Sequence, residues 1–152
     1  MGDYFLDSSA LVKRHVKEVG TRWVLLITAP KAGHSLYIAR ITAVEIFAAV
    51  SRRQGLSGAQ SGAILGHFRR HLTQNRYNIL ETPPALIEKA MILARKRRLR
   101  AYDPVQLAAA TEIDRLNREA DLGPVTFVSA DRELNAAAIA EGLIVEDPAS
   151  HS

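Results

Sequence analysis

Apolar residues fall into short runs separated by longer stretches of helical period, and that alternation repeats along the whole chain. Tyr4-Phe5-Leu6 reads as a strand ending at Asp7, and Ser8 to Glu18 as a helix broken by Gly20. Thr21 to Ala29 is a second helix, stopped by Pro30, and Lys31 to His34 is a turn. Ser35 to Ala39 is rich in strand formers. Thr42 to Arg53 follows as a helix, with Thr42 and Glu45 at the spacing of a capping box. Ser57 to Leu72 places Ile64, Leu65, Phe68 and Leu72 on one side of a helix, and Tyr77 to Leu80 is a short strand. Pro83-Pro84 opens a helix through Arg97. Asp103-Pro104 is a strong helix start, with Asp as cap and Pro in the first turn, for a helix to about Arg118. Val125 to Val128 is a strand, Asp131 to Gly142 a helix and Leu143 to Val145 a last strand; the polar tail from Pro148 should fray.

Strands alternating with helices predict an α/β fold with a central, mainly parallel sheet. The 152 residues fit one domain, expected over 1–147 with a polar tail over 148–152. Hydrophobic residues at 47% allow a sizeable core, while aromatics at 6% favour helix-rich layers. The absence of cysteine excludes disulfides, thiolate zinc sites and a cysteine nucleophile, and fits a reducing cytoplasm. No signal peptide is expected, and the longest apolar run, Trp23 to Ile27, is far short of the roughly 20 residues of a membrane span.

Charge adds a direction. Net charge is +4, from 20 basic and 16 acidic residues, which suits a polyanionic partner. Against that background Asp7, Glu45, Asp103 and Asp131 each stand at or one turn beyond an element boundary. In open parallel sheets, ligands bind beyond the carboxyl ends of the strands, where strand order reverses. If the strands before Asp7 and Asp131 are neighbours there, the four acids share one crevice. Close carboxylates repel one another, and a divalent cation relieves them; an all-oxygen set selects Mg²⁺ or Mn²⁺ over zinc. Each acid also has an ordinary duty: Asp7, Asp103 and Asp131 as helix caps, and Glu45 in the capping box.

Four segments, FLDSSALVK, TAVEI, YDPVQLAAA and FVSAD, resemble in order the motifs of the PIN-domain ribonucleases, and more narrowly the VapC-type toxins of toxin–antitoxin pairs. The resemblance implies a three-layer α/β/α fold. It implies that Asp7, Glu45, Asp103 and Asp131 are the catalytic, metal-binding acids, supported by Ser9 and Ser129. It further implies Mg²⁺- or Mn²⁺-dependent cleavage of an RNA phosphodiester to a 5′-phosphate and a 3′-hydroxyl, a small antitoxin partner, and a homodimer. Pro104 stands where the family more often has Ala.

Arg95, Lys96, Arg97, Arg98 and Arg100 form the densest basic run; they suit either RNA phosphates or the C-terminal end of a helix. His67 and His71 have zinc-ligand spacing, but Phe68 replaces the catalytic Glu of a metalloprotease motif, so they read as surface histidines. Asp7-Ser8-Ser9 lacks the second Asp of an aspartyl-phosphate site, and His15 is too distant along its helix to activate Ser8 or Ser9. The competing reading is a non-catalytic RNA-binding or protein-interaction module on the same fold.

Overall fold

The structure, a computed structural model, describes residues 1–151. Five parallel strands form one sheet: β1 (Asp3–Leu6), β2 (Ser35–Ala39), β3 (Asn78–Leu80), β4 (Val125–Val128) and β5 (Ile144–Glu146). Their order is β3-β2-β1-β4-β5. The chain builds outward from β1 to β3 on one side, then crosses back to set β4 against the free edge of β1. Order therefore reverses between β1 and β4, where Phe5 is paired with Phe127 and Leu6 with Val128.

The pleat sends alternate side chains to opposite faces. Leu6, Leu36, Ile38 and Val128 enter one core with α1 (Ser8–His15), α2 (Thr21–Thr28), α3 (Ile41–Arg52) and α4 (Gly58–Thr73). Phe5, Ala39, Val125 and Phe127 enter the other with α5 (Pro84–Arg97), α6 (Asp103–Glu119) and α7 (Arg132–Ala140). This is the expected three-layer α/β/α arrangement, with every strand pair parallel.

Several local expectations are corrected. α1 stops at His15 rather than Glu18, because Val16 turns extended. The turn lays Glu18 against Lys13 (3.2 Å) and Arg53, while the Glu18 N–H donates to Thr21 Oγ1 at 2.8 Å. The capping box belongs to α4, not α3. Ser57 accepts from the Gln60 N–H at 3.1 Å, and Gln60 accepts from the Ser57 N–H at 2.8 Å. Thr42 lies inside α3, fully buried, and caps nothing.

Through His151 the tail is packed rather than frayed. Pro148–His151 forms a 3₁₀ turn, Pro148 is buried, and the His151 ring stacks on Trp23 at 4.3 Å. Gly20, at φ +92°, lies so close to Pro148 that an added Cβ would meet its backbone at 2.8 Å.

His71 is buried, not a surface residue. It joins His15 and exposed His67 in a cluster between α1 and α4, with ring centres 4.3 to 5.3 Å apart. Burial and the neighbouring Arg14, Arg70, Arg76 and histidine charges push His71 down to about 4 and His15 to about 3, so both rings are neutral near pH 7.

Candidate active site

The reversal of strand order brings the ends of β1 and β4 together. The Asp7 N–H donates to the Val128 carbonyl at 3.1 Å, extending the β1–β4 ladder by one bond. Asp7, only 2% exposed, is held on both carboxylate oxygens. Oδ1 accepts from Ser9 Oγ at 2.7 Å and from the Ala10 N–H at 3.0 Å. Oδ2 accepts from Ser129 Oγ at 2.6 Å.

The two hydroxyls tie the strand ends to each other as well. Ser9 Oγ accepts from the Ala130 N–H at 2.9 Å, and Ser129 Oγ from the Asp131 N–H at 3.1 Å. Asp131 caps α7 by accepting from the Leu134 N–H at 3.0 Å. Asn135 fixes this corner from below, donating to the Ser129 carbonyl at 2.8 Å.

The other two acids come from the opposite helical layers. Glu45, one turn into α3, accepts from Gln106 Nε2 at 2.6 Å; the same nitrogen lies 2.8 Å from Thr42 Oγ1. Gln106 thus bridges α3 and α6 beside the sheet edge. Asp103 opens α6, but the cap position belongs to Tyr102, so no side chain caps this helix.

Two of the four expected capping duties hold and two do not. Asp7 and Asp131 are the helix caps; Asp103 and Glu45, the residues with the stronger capping signatures, cap nothing.

The electrostatics link all four acids. Asp7 is pushed up to about 6, chiefly by burial, against the pull of its three hydrogen bonds, and Asp103 adds to the rise. Asp103 is also pushed up to about 6: burial leads, then the charges of Asp131 and Glu45, with Glu133 contributing and Arg100 opposing. Burial raises Glu45 too, offset by Gln106 and Ser8. A raised pKa is what crowded, half-desolvated carboxylates show without a counter-charge.

Asp7, Glu45, Asp103 and Asp131 thus share one field at the carboxyl edge of the sheet. Among the described residues, no three acidic or histidine side chains are drawn into an ion-enclosing cluster. The donors present are carboxylate, hydroxyl and amide oxygens, a set that fits Mg²⁺ or Mn²⁺ and not a softer metal.

The basic run divides. Lys96 and Arg97, in the last turn of α5, bind Glu141 at 3.1 and 2.6 Å. Arg95 is exposed, Arg98 ends the helix in a left-handed conformation, and Arg100 faces the charge of Asp103. Sequence reasoning missed Gln106, Thr42, Asn135, Ser8 and Glu133. Gln106 and Asn135 had a signal: each is a polar residue inside an apolar helical face, in VQLAAA and ELNAAA. Ser8 and Glu133 carried none.

The architecture recurs in solved structures. PAE2754 from Pyrobaculum aerophilum superposes with a TM-score of 0.60 at 24% identity, over 95% of this chain and 89% of that one. The chain has a PIN-like fold. FitAcB from Neisseria gonorrhoeae matches at a TM-score of 0.64 and 17% identity, over 95% and 97% of the two chains. VapBC-5 from Mycobacterium tuberculosis, a member of the VapBC family of toxin–antitoxin systems, matches at 0.53 and 14%, over 97% and 98%. No family model matches the chain, and no curated protein matches its sequence. Among the described residues, no helix is long and apolar enough to cross a membrane.

Proposed function

We propose that this PIN-like chain is a divalent-metal-dependent endoribonuclease, the toxin of a toxin–antitoxin pair. The observation that carries the reading is the raised pair Asp7 and Asp103. Two carboxyls from different elements are pushed up to about 6 at one sheet edge, in a basic protein in which Asp103 caps no helix. A site that frustrates its own carboxylates is a functional candidate.

Asp7, Glu45, Asp103 and Asp131 would hold Mg²⁺ or Mn²⁺. When bound, the ion would neutralise phosphate charge and lower the pKa of water. Asp7, locked by Ser9, Ser129 and the Ala10 N–H, is the rigid anchor. Gln106 fixes the direction of Glu45. Asp103 and Glu45, only partly buried, orient the attacking water and accept its proton. Asp131 spends one oxygen on the Leu134 N–H and keeps the other for the site. VapBC-5 is described as belonging to a toxin–antitoxin family, which supports a small antitoxin as partner here; a homodimer is part of the same proposal.

The test is cleavage of structured RNA with Mg²⁺ and with a chelator. The wild type should cut only with the ion, and Asp7→Asn and Asp103→Asn should each lose at least about a hundredfold in rate, the scale of a lost acid–base group. Undiminished cleavage by either variant would reject the assignment. RNA binding without cleavage, and without divalent binding by calorimetry, would instead mark a non-catalytic RNA-binding module.

A further inference from the structure

An acidic centre repels the polyanion it must cut, so it needs nearby cations that are not already paired. Lys96 and Arg97 do not qualify, because Glu141 holds both. Arg98 and Arg100 do qualify: both are exposed, among the described residues neither is in an ion pair, and Arg100 already lowers the pKa of Asp103.

The backbone between α5 and α6 sets these residues apart from the helix. Arg98 (φ 56°) and Ala101 (φ 53°) are both left-handed, a costly conformation for residues with a Cβ, which clusters at functional sites. The two turns carry the chain from the Glu141-bound end of α5 to the start of α6. They leave Tyr102 directly before Asp103 with 48% of its surface exposed. Among the described residues, the Tyr102 side chain has no hydrogen-bond or ring partner, although its carbonyl starts α6 by accepting from Val105 and Gln106. A cavity of about 500 Å³ adjoins this segment, lined by Lys96, Arg97, Arg98, Leu99, Glu133 and Ala137 among others.

We propose that residues 98–102 form a nucleotide subsite, in which Tyr102 stacks on an unpaired base beside the scissile bond and Arg98 and Arg100 hold the flanking phosphates. The inference rests on the ribonuclease reading and adds to it a single-stranded substrate. A free aromatic face beside unpaired guanidiniums is the general apparatus for single-stranded nucleic acid, and stacking on it tolerates any base. The cavity gives the next nucleotide room on the α7 side.

The test measures binding of a fluorescent single-stranded RNA of about 12 nucleotides in chelator, where no cutting occurs. Tyr102→Ala should weaken binding about tenfold or more, and Tyr102→Trp should retain it. Arg98→Ala should reduce the salt dependence by about one phosphate contact, and Arg115→Ala, which removes a guanidinium held by Glu112 and Glu119, should leave it unchanged. With Mg²⁺, Tyr102→Ala should raise KM more than it lowers kcat. Wild-type binding by Tyr102→Ala, or an Arg115→Ala loss as large as that of Arg98→Ala, overturns the subsite. If Tyr102→Ala cuts with unchanged KM while Asp103→Asn is dead, the subsite fails and the nuclease reading stands. If the wild type neither binds nor cuts RNA, both fail.

Discussion

The carboxylate of Asp103 sits one residue too late to cap α6, and among the described residues its side chain makes no hydrogen bond. Its folded pKa of about 6 lies above the ordinary value of 3.8, so the folded state holds this proton more tightly than the unfolded chain does. The sign follows: the penalty is absent below pH 3.8 and complete above about 6. At pH 7.5 without divalent ions, Asp103→Asn should therefore raise Tm. Partial exposure screens the charge, so we expect about 2–4 °C, the effect of ~1 kcal/mol in a chain of this size. Mg²⁺ should raise the wild-type Tm and do much less for the variant. A variant that melts lower in chelator than the wild type would contradict this account.

At the scale of elements, the strands were the most legible part of the sequence. Ser35–Ala39 and Val125–Val128 were read with their observed ends, because a short β-branched or aromatic run between turn residues has few other solutions. Helix starts were legible to within a residue, and so were the caps of Asp7 and Asp131, yet the duties of Asp103 and Glu45 were not. Whether an acid caps depends on its own φ and ψ, which tertiary contacts set. Asp7 and Asp131 are extended and cap; Asp103 is already helical and does not. Gln106 stood out as a polar residue in an apolar face, but its partner was hidden, since only packing of α6 on α3 brings it to Glu45.

The docked tail shows the same limit. Polar composition predicted fraying, but a proline against a glycine and a histidine against a tryptophan hold it. Gly20→Ala should lower Tm, because the new Cβ would strike the Pro148 backbone from a left-handed residue. About 1–3 kcal/mol, the usual cost of overpacking, should appear in denaturant unfolding. An unchanged midpoint would mean that the tail is not seated there.

Acid acts on the whole molecule through two opposed groups. His15 and His71 are held down at about 3 and about 4, below the ordinary 6.5. Their contribution to stability is complete above pH 6.5 and is lost as pH falls toward 4 and then 3. Asp7 and Asp103, held up at about 6, act in the opposite sense over the upper part of that range. Comparing variants separates the two. His15→Leu, which removes a ring whose buried Nε2 has no partner, should shrink any loss of Tm between pH 7 and pH 5. An unchanged difference would remove His15 from the acid response.

The pairing of β1 with β4 also has a consequence in time. Asp7 meets Ser129 across a sequence separation of 122 residues. Contacts of that range form late, after the intervening chain has been ordered. On a ribosome, a chain that has released Asp7, Glu45 and Asp103 still lacks the strand that seats Asp7 and the residue that completes the set. On the proposed reading, a chain stalled before Ser129 and Asp131 would carry none of that chemistry. That order of assembly would then shield the transcript and the ribosome making it.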